Sequence, residues 1–221
     1  MDKIDTWVFD LDNTLYPAES KVFAQVHERM GQFIAHHLNL PIDEARQLQK
    51  AYFRKHGTTL AGMMAEHGTD PLAYLNYVHD IDISHLARAE ALDAALTALP
   101  GRKLIFTNAS EMHAGNVTRQ LGIDHHFEGV FDIIAADYVP KPAAAPYHGL
   151  LAAYDIDPLR AAFFEDMAKN LAPAAALGMT TIWVRNMPDW GDPRDVEPDG
   201  DHVHHITDDL AVWLRGLRSA A

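Results

Sequence analysis

Trp7-Val8-Phe9-Asp10-Leu11-Asp12-Asn13-Thr14 begins with three apolar residues and breaks abruptly into polar ones, which reads as a buried strand running into a polar loop. The same break recurs. Lys103-Leu104-Ile105-Phe106 stops at Thr107-Asn108, and Asp132-Ile133-Ile134-Ala135-Ala136 leads to Lys141-Pro142. Ala161-Ala162-Phe163-Phe164 stops at Glu165-Asp166, and Thr180-Thr181-Ile182-Trp183-Val184 at Arg185-Asn186. Helical patterns fill the intervals at 87–99, 112–121, 146–154 and 171–177, with Gly122 and Gly178 as stops. Strands alternating with helices predict an α/β fold with a doubly wound parallel sheet. Ligands of such sheets bind beyond the carboxyl ends of the strands, where these polar residues fall.

Residues 16–83 interrupt the alternation. Val22, Val26, Met30, Phe33 and Ile34 recur at helical spacing and no strand pattern follows, so this interval reads as an inserted helical cap. Residues 1–15 and 84–221 remain as the core. Within it, the Pro-, Asp- and Gly-rich stretch 187–201 reads as an exposed loop, followed by a short strand and a last helix near 208–217. A length of 221 residues suits one domain with a sizeable insertion, or two small domains.

Composition narrows the function. Eighteen Lys and Arg against 31 Asp and Glu leave a net charge of −13, which repels nucleic-acid polymers and anionic membrane surfaces while leaving a small anion bindable beside a local cation. The absence of cysteine removes disulfides, thiolate catalysis and thiolate metal sites. The first apolar run is too short for a signal or membrane segment, and a cytoplasmic protein is expected.

Asp10 and Asp12 flank Leu11 at a strand end, so both carboxylates can face one polar pocket while the leucine turns inward. Crowded carboxylates repel and call for a cation. A hard ion such as Mg²⁺ suits them, with Asp166 from a neighbouring strand end as a further ligand. A phosphate ester could then meet the Thr107 hydroxyl and the Lys141 charge, with one carboxylate attacking phosphorus and its partner managing protons. Each piece has a plainer reading: a solvated loop for Asp-x-Asp, a helix cap for Thr107, an exposed turn for Lys141. The joint order of acid pair, hydroxyl, lysine and second acid pair favours phosphoryl transfer.

Those residues resemble the four motifs of the haloacid dehalogenase superfamily of hydrolases, here Phe9-Asp10-Leu11-Asp12-Asn13-Thr14-Leu15, Phe106-Thr107-Asn108, Lys141-Pro142 and Phe164-Glu165-Asp166. The resemblance implies a Rossmann-like catalytic core, with Asp10 as nucleophile and Asp12 as general acid/base. It also implies that Thr107, Asn108 and Lys141 bind phosphate, and that Asp166 ligates Mg²⁺ with Asp10 and the backbone carbonyl of Asp12. Superfamily dehalogenases lack the second aspartate, so its presence implies a phosphatase. The fourth motif departs from the usual pair of aspartates followed by serine, reading Glu165-Asp166-Met167; Asn170 falls where Asp or Asn is common.

The segment through Tyr16-Pro17 resembles the pyrimidine 5′-nucleotidase branch of that superfamily. In the cap, Tyr52-Phe53-Arg54-Lys55-His56-Gly57-Thr58-Thr59-Leu60-Ala61-Gly62-Met63 is similar to a second pattern of that branch, with His56 where tyrosine is usual. Tyr52, Arg54, His56, Thr58 and Thr59 are therefore candidate substrate contacts, although Arg54 and Lys55 also fit a solvated helix face. Of the 14 histidines, the clusters at 36–37, 125–126 and 202–205 read as surface or packing residues rather than metal ligands.

The expectation is a Mg²⁺-dependent phosphomonoesterase, monomeric or homodimeric, that hydrolyses nucleoside 5′-monophosphates, foremost UMP and CMP, through an aspartyl-phosphate. A broad sugar-phosphate or phosphoglycolate phosphatase, or a phosphomutase, would share the core motifs. A phosphate-accepting signalling module uses similar groups, but in another order and in a much shorter chain. An inactive binding protein on the same fold is a further alternative.

Overall fold

The computed structural model describes residues 1, 3–185 and 200–217, so most of the stretch expected to form the 187–201 loop lies outside the described residues. Its centre is a six-stranded parallel sheet: β1 (Thr6–Phe9), β2 (Arg102–Phe106), β3 (Gly129–Phe131), β4 (Ala161–Glu165), β5 (Thr180–Val184) and β6 (His205–Thr207). The strand order is β3-β2-β1-β4-β5-β6, which is doubly wound and reverses direction at β1. Phe9 pairs in register with Ile105 on one side and Phe164 on the other. One residue further on, Asp10 is level with Phe106 and Glu165.

Alternation along the strands splits the apolar side chains between two faces. Trp7, Phe9, Ile105, Phe164 and Ile182 join one cluster. Helices α5 (Glu90–Ala98), α6 (Glu111–Leu121) and α9 (Leu210–Gly216) cover it with Leu92, Leu96, Val117, Leu121, Leu210 and Leu214. Val8, Leu104, Phe106 and Phe163 form the opposite cluster, under α7 (Ala144–Tyr154) and α8 (Ala168–Ala176). The central strands read as continuous apolar runs because both of their faces are covered.

Between β1 and α5 the chain forms α1 (Val22–Leu38), α2 (Ile42–His56), α3 (Thr59–His67) and α4 (Pro71–Val78). They close around a core of their own that includes Val26, Ile34, Met63, Tyr74 and Val78. Local signals set their ends: Thr58 accepts from the Ala61 N–H at 3.1 Å to start α3, and Asp70 with Pro71 starts α4. No helix among the described residues is long and apolar enough to cross a membrane.

One expected strand shifts. The third strand is Gly129–Phe131, not Asp132 onward. The Asp132 carboxylate accepts the N–H groups of Glu111 (2.8 Å), Ile134 (3.1 Å) and Ala135 (2.8 Å), curling the chain into turns instead of extending it. Ile133 is thereby released from the sheet and packs into the α1–α4 cluster.

Gly101 turns the chain into β2 with φ of +96°, and a Cβ there would lie 2.3 Å from the Asp5 carbonyl oxygen. Both the left-handed backbone and the backbone contact oppose a side chain. Gly101→Ala is expected to cost about 2–3 kcal/mol in urea unfolding.

Candidate active site

The parallel register brings the ends of β1, β2 and β4 to one edge, and the segment after β3 adds a lysine. Lys141 is buried there, its Nζ donating to Asp10 Oδ1 (2.6 Å), the Phe106 carbonyl (2.9 Å) and Glu165 Oε1 (3.1 Å). Asn108 clamps the lysine backbone from both sides, its Oδ1 accepting the Lys141 N–H at 2.9 Å while its Nδ2 donates to the Lys141 carbonyl at 3.4 Å. Thr107 Oγ1 accepts the Ala109 N–H at 3.0 Å, which leaves its hydroxyl proton available to an anion.

Asp10, Glu165 and Asp166 are buried together, with a carboxylate oxygen of each within 4.8 Å of the others. Burial, then the Glu165 charge, pushes Asp10 up to about 8. Asp166 is raised well above the usual carboxylate range by burial and by the charges of Glu165 and Asp10. Burial also acts against Glu165, but the Lys141 charge and several hydrogen bonds outweigh it and hold that group below its ordinary value. Two of the three carboxylates, Asp10 and Glu165, pair with the Lys141 ammonium. Beside them Asn170 Oδ1 is buried without a hydrogen-bond partner, while its Nδ2 donates to Glu165. An all-oxygen donor set with excess negative charge and an orphaned acceptor fits a hydrated hard divalent cation.

The Asp12 carboxylate stands apart from this group. Its Oδ1 accepts from the Tyr16 hydroxyl and from His113 Nε2 at 3.0 Å. The carboxylates gathered in the structure are thus Asp10, Glu165 and Asp166, with Glu165 in the place that the residue pattern alone assigned to Asp12. Burial pushes Asp12 up, but His113 and Tyr16 more than offset it and leave it below its usual value. No motif in the sequence points to His113, and Tyr16 enters there only as part of the Tyr16-Pro17 pattern, without a role. The partners of Asp12 lie 4 and 101 residues away, and only the helix start at Ser110 hints that His113 faces inward.

A cavity of about 520 Å³ joins this edge to the α1–α4 helices. Asp10, Asp12, Thr107, Asn108, Lys141 and Asp166 line its floor, and Phe23, Met30, Phe53, Arg54, Thr58 and Thr59 are among its other walls. Two of the candidate substrate contacts fall outside that lining. The Tyr52 hydroxyl pairs with His67 Nε2 at 2.5 Å, and His56 Nε2 with Glu66 at 3.0 Å, so both rings are engaged by α3. His125 and His126 share Asp93, at 3.3 and 2.7 Å, and His204 accepts the Thr181 N–H at 3.0 Å.

A family model for haloacid dehalogenase-like hydrolases matches residues 4–178, and the chain belongs to that family. It is similar to Phosphate metabolism protein 8 of Saccharomyces cerevisiae, 26% identical over 187 residues that cover 77% of this chain. The chain spans 58% of that relative's length. Among solved structures it resembles L-2-haloacid dehalogenase of Xanthobacter autotrophicus (TM-score 0.62, 14% identity, 99% of this chain and 100% of that one). It also resembles a HAD phosphatase of Thermococcus onnurineus (TM-score 0.61, 14% identity, 98% and 97%). Both likenesses establish the α/β fold.

Proposed function

We propose that the chain is a Mg²⁺-dependent phosphomonoesterase acting on nucleoside 5′-monophosphates, with pyrimidine nucleotides preferred. The observation that carries the phosphatase reading is the second carboxylate: Asp12 lines the same cavity as Asp10, with one oxygen already engaged by Tyr16 and His113. A group so placed can give a proton to a leaving alcohol and later take one from water.

Asp10, Asp166 and the Asp12 carbonyl would hold Mg²⁺, with Glu165 and Asn170 anchoring the loop beside it. When bound, the ion lowers the proton affinity of these carboxylates and offsets the charge of the phosphoryl oxygens. A carboxylate oxygen of Asp10 attacks phosphorus. The bond to the ester oxygen breaks, its electron pair stays on that oxygen, and Asp12 supplies the proton. A water then gives its proton to Asp12 and attacks phosphorus, releasing phosphate and restoring the Asp10 carboxylate. The Thr107 hydroxyl donates to the phosphoryl oxygens and the Lys141 charge offsets theirs throughout.

Helices α1–α4, within residues 16–83, act as the cap and shape the space for the leaving group. A cavity of about 520 Å³ with Phe23 and Phe53 in its walls is of a size for a nucleoside and far exceeds what a two-carbon acid needs. Arg54, Thr58 and Thr59 supply hydrogen-bond donors for its polar edge.

Phosphate release from nucleoside monophosphates, sugar phosphates and phosphoglycolate, with Mg²⁺ or with chelator, tests this. UMP and CMP are expected to be hydrolysed fastest, with release abolished by chelator. Even rates, or a preference for sugar phosphates, would remove the nucleotide assignment. No release from any ester would overturn the phosphatase reading.

A further inference from the structure

The reaction just described leaves two buried histidines without a task. His113, on the first turn of α6, is 1% exposed and touches Asp12; His79, at the end of α4, is 8% exposed and touches His113. Their rings stack with centroids 4.4 Å apart and planes 15° from parallel. Ser110 ties them together. Its Oγ accepts the His113 backbone N–H at 3.3 Å and lies 3.0 Å from His79 Nδ1. A hydroxyl keeps a second lone pair as well as its proton, so Ser110 holds the His79 ring through Nδ1 in either tautomer. The His113 ring is held by the helix beneath it and by the His79 ring against its face.

An ionised carboxylate only accepts hydrogen bonds, so His113 Nε2 carries the proton it shares with Asp12 Oδ1. The Tyr16 hydroxyl donates to the same oxygen. Two donors therefore converge on Oδ1, and a proton arriving at Asp12 finds its place on Oδ2. We infer that His113, braced by His79, is a positioning residue: with Tyr16 it saturates Asp12 Oδ1, so that the proton transferred in the reaction is carried by Oδ2, turned to the ester oxygen.

The inference rests on the phosphatase reading and concerns one step of it. As the Asp10–phosphorus bond forms and the ester bond breaks, the proton on Asp12 Oδ2 passes to the departing oxygen. Asp12 is left ionised by that transfer, and the two donors on Oδ1 stabilise the charge it gains. A substrate whose leaving group needs no proton makes no demand on this arrangement. UMP releases an alkoxide that must be protonated, whereas p-nitrophenyl phosphate releases a stable phenolate.

Pre-steady-state release of uridine and of p-nitrophenol is therefore measured for the full chain, with Mg²⁺, in the wild type and in variants. His113→Leu fills the ring's space without a donor. It is expected to slow uridine release about 10- to 100-fold with KM changed less than ~2-fold, and nitrophenol release less than ~3-fold. His113→Gln, whose amide N–H reaches near the ring Nε2, is expected to recover uridine release to within about 5-fold of wild type. Tyr16→Phe keeps shape and removes the second donor, so it gives the same substrate-selective loss should the leucine variant fold poorly. Equal loss on both substrates, or no loss on either, would overturn the assignment while leaving the phosphatase intact. A wild type that releases neither product would overturn the phosphatase reading and this inference with it.

Discussion

Asp10→Asn is expected to lower phosphate release from UMP by about 10³-fold or more while making the chelator-treated protein more stable at pH 8. The loss of rate follows from removing the attacking oxygen. The gain in stability follows from electrostatics. Folding raises the proton affinity of Asp10 to about 8, through burial and the nearby Glu165 charge. Between about pH 4 and 8 the folded chain thus binds a proton that the unfolded chain has released, so this group's contribution to stability falls as pH rises through that window. Asparagine carries no charge and removes the slope. A gain of ~1 kcal/mol corresponds to roughly 2–4 °C in Tm for a chain of this size. Thermal melts of both proteins at pH 5 and pH 8 check it: the difference should widen toward pH 8, and a variant that melts lower at both would refute the account.

Lys141→Met should harm both stability and rate. The side chain lies among Asp10, Glu165 and the Phe106 carbonyl, with its Nζ 5.0 Å from the centre of the Phe106 ring. Methionine fills much of that space and takes the cation away from Asp10 and Glu165, the two buried carboxylates paired with it. Breaking a buried pair in this way costs about 3–5 kcal/mol, which lowers Tm by roughly 10 °C. Phosphate release should fall by about 10²-fold or more, because the buried positive charge beside the phosphoryl group is gone. The deficit in Tm should shrink toward pH 5, where the carboxylates take up protons, and on addition of Mg²⁺. A deficit that ignores both pH and Mg²⁺ would mean that lost packing, not uncompensated charge, is responsible.

The strands were legible because a buried parallel strand announces itself as an apolar run ending at a polar residue. Phe9-Asp10, Phe106-Thr107 and Phe164-Glu165 all mark the same edge of the sheet. The segment from Asp132 misled because an aspartate that accepts three backbone N–H groups bends the chain whatever the β-propensity of Ile133 and Ile134. Side-chain direction within the helices was hidden for a different reason. Tyr52 and His56 are polar and aromatic, as a base-reading residue would be, but their partners His67 and Glu66 belong to the next helix. Glu165 stands where the motif usually has aspartate; its longer side chain places one carboxylate against Lys141, Asn170 and the Met167 N–H together. His113 sits 101 residues from Asp12, and neither periodicity nor motif spacing links two such positions.

The position of β1 carries a consequence for how the chain is made. This strand lies at the centre of the sheet, between β2 and β4, yet it is the first of the six to leave the ribosome. At 5–20 residues per second the ~90 residues that separate it from β2 take about 5–20 s to synthesise, and β4 follows later still. Throughout that interval Trp7-Val8-Phe9 has no neighbouring strand with which to share its backbone hydrogen bonds. Helices α1–α4 have less to wait for, since their contacts with one another are local and Ile133 is the one fully buried member of their core that comes from later in the chain. The nascent chain therefore carries a naked apolar strand, and the carboxylate at that strand's tip, Asp10, meets Glu165 and Asp166 only once β4 has been made.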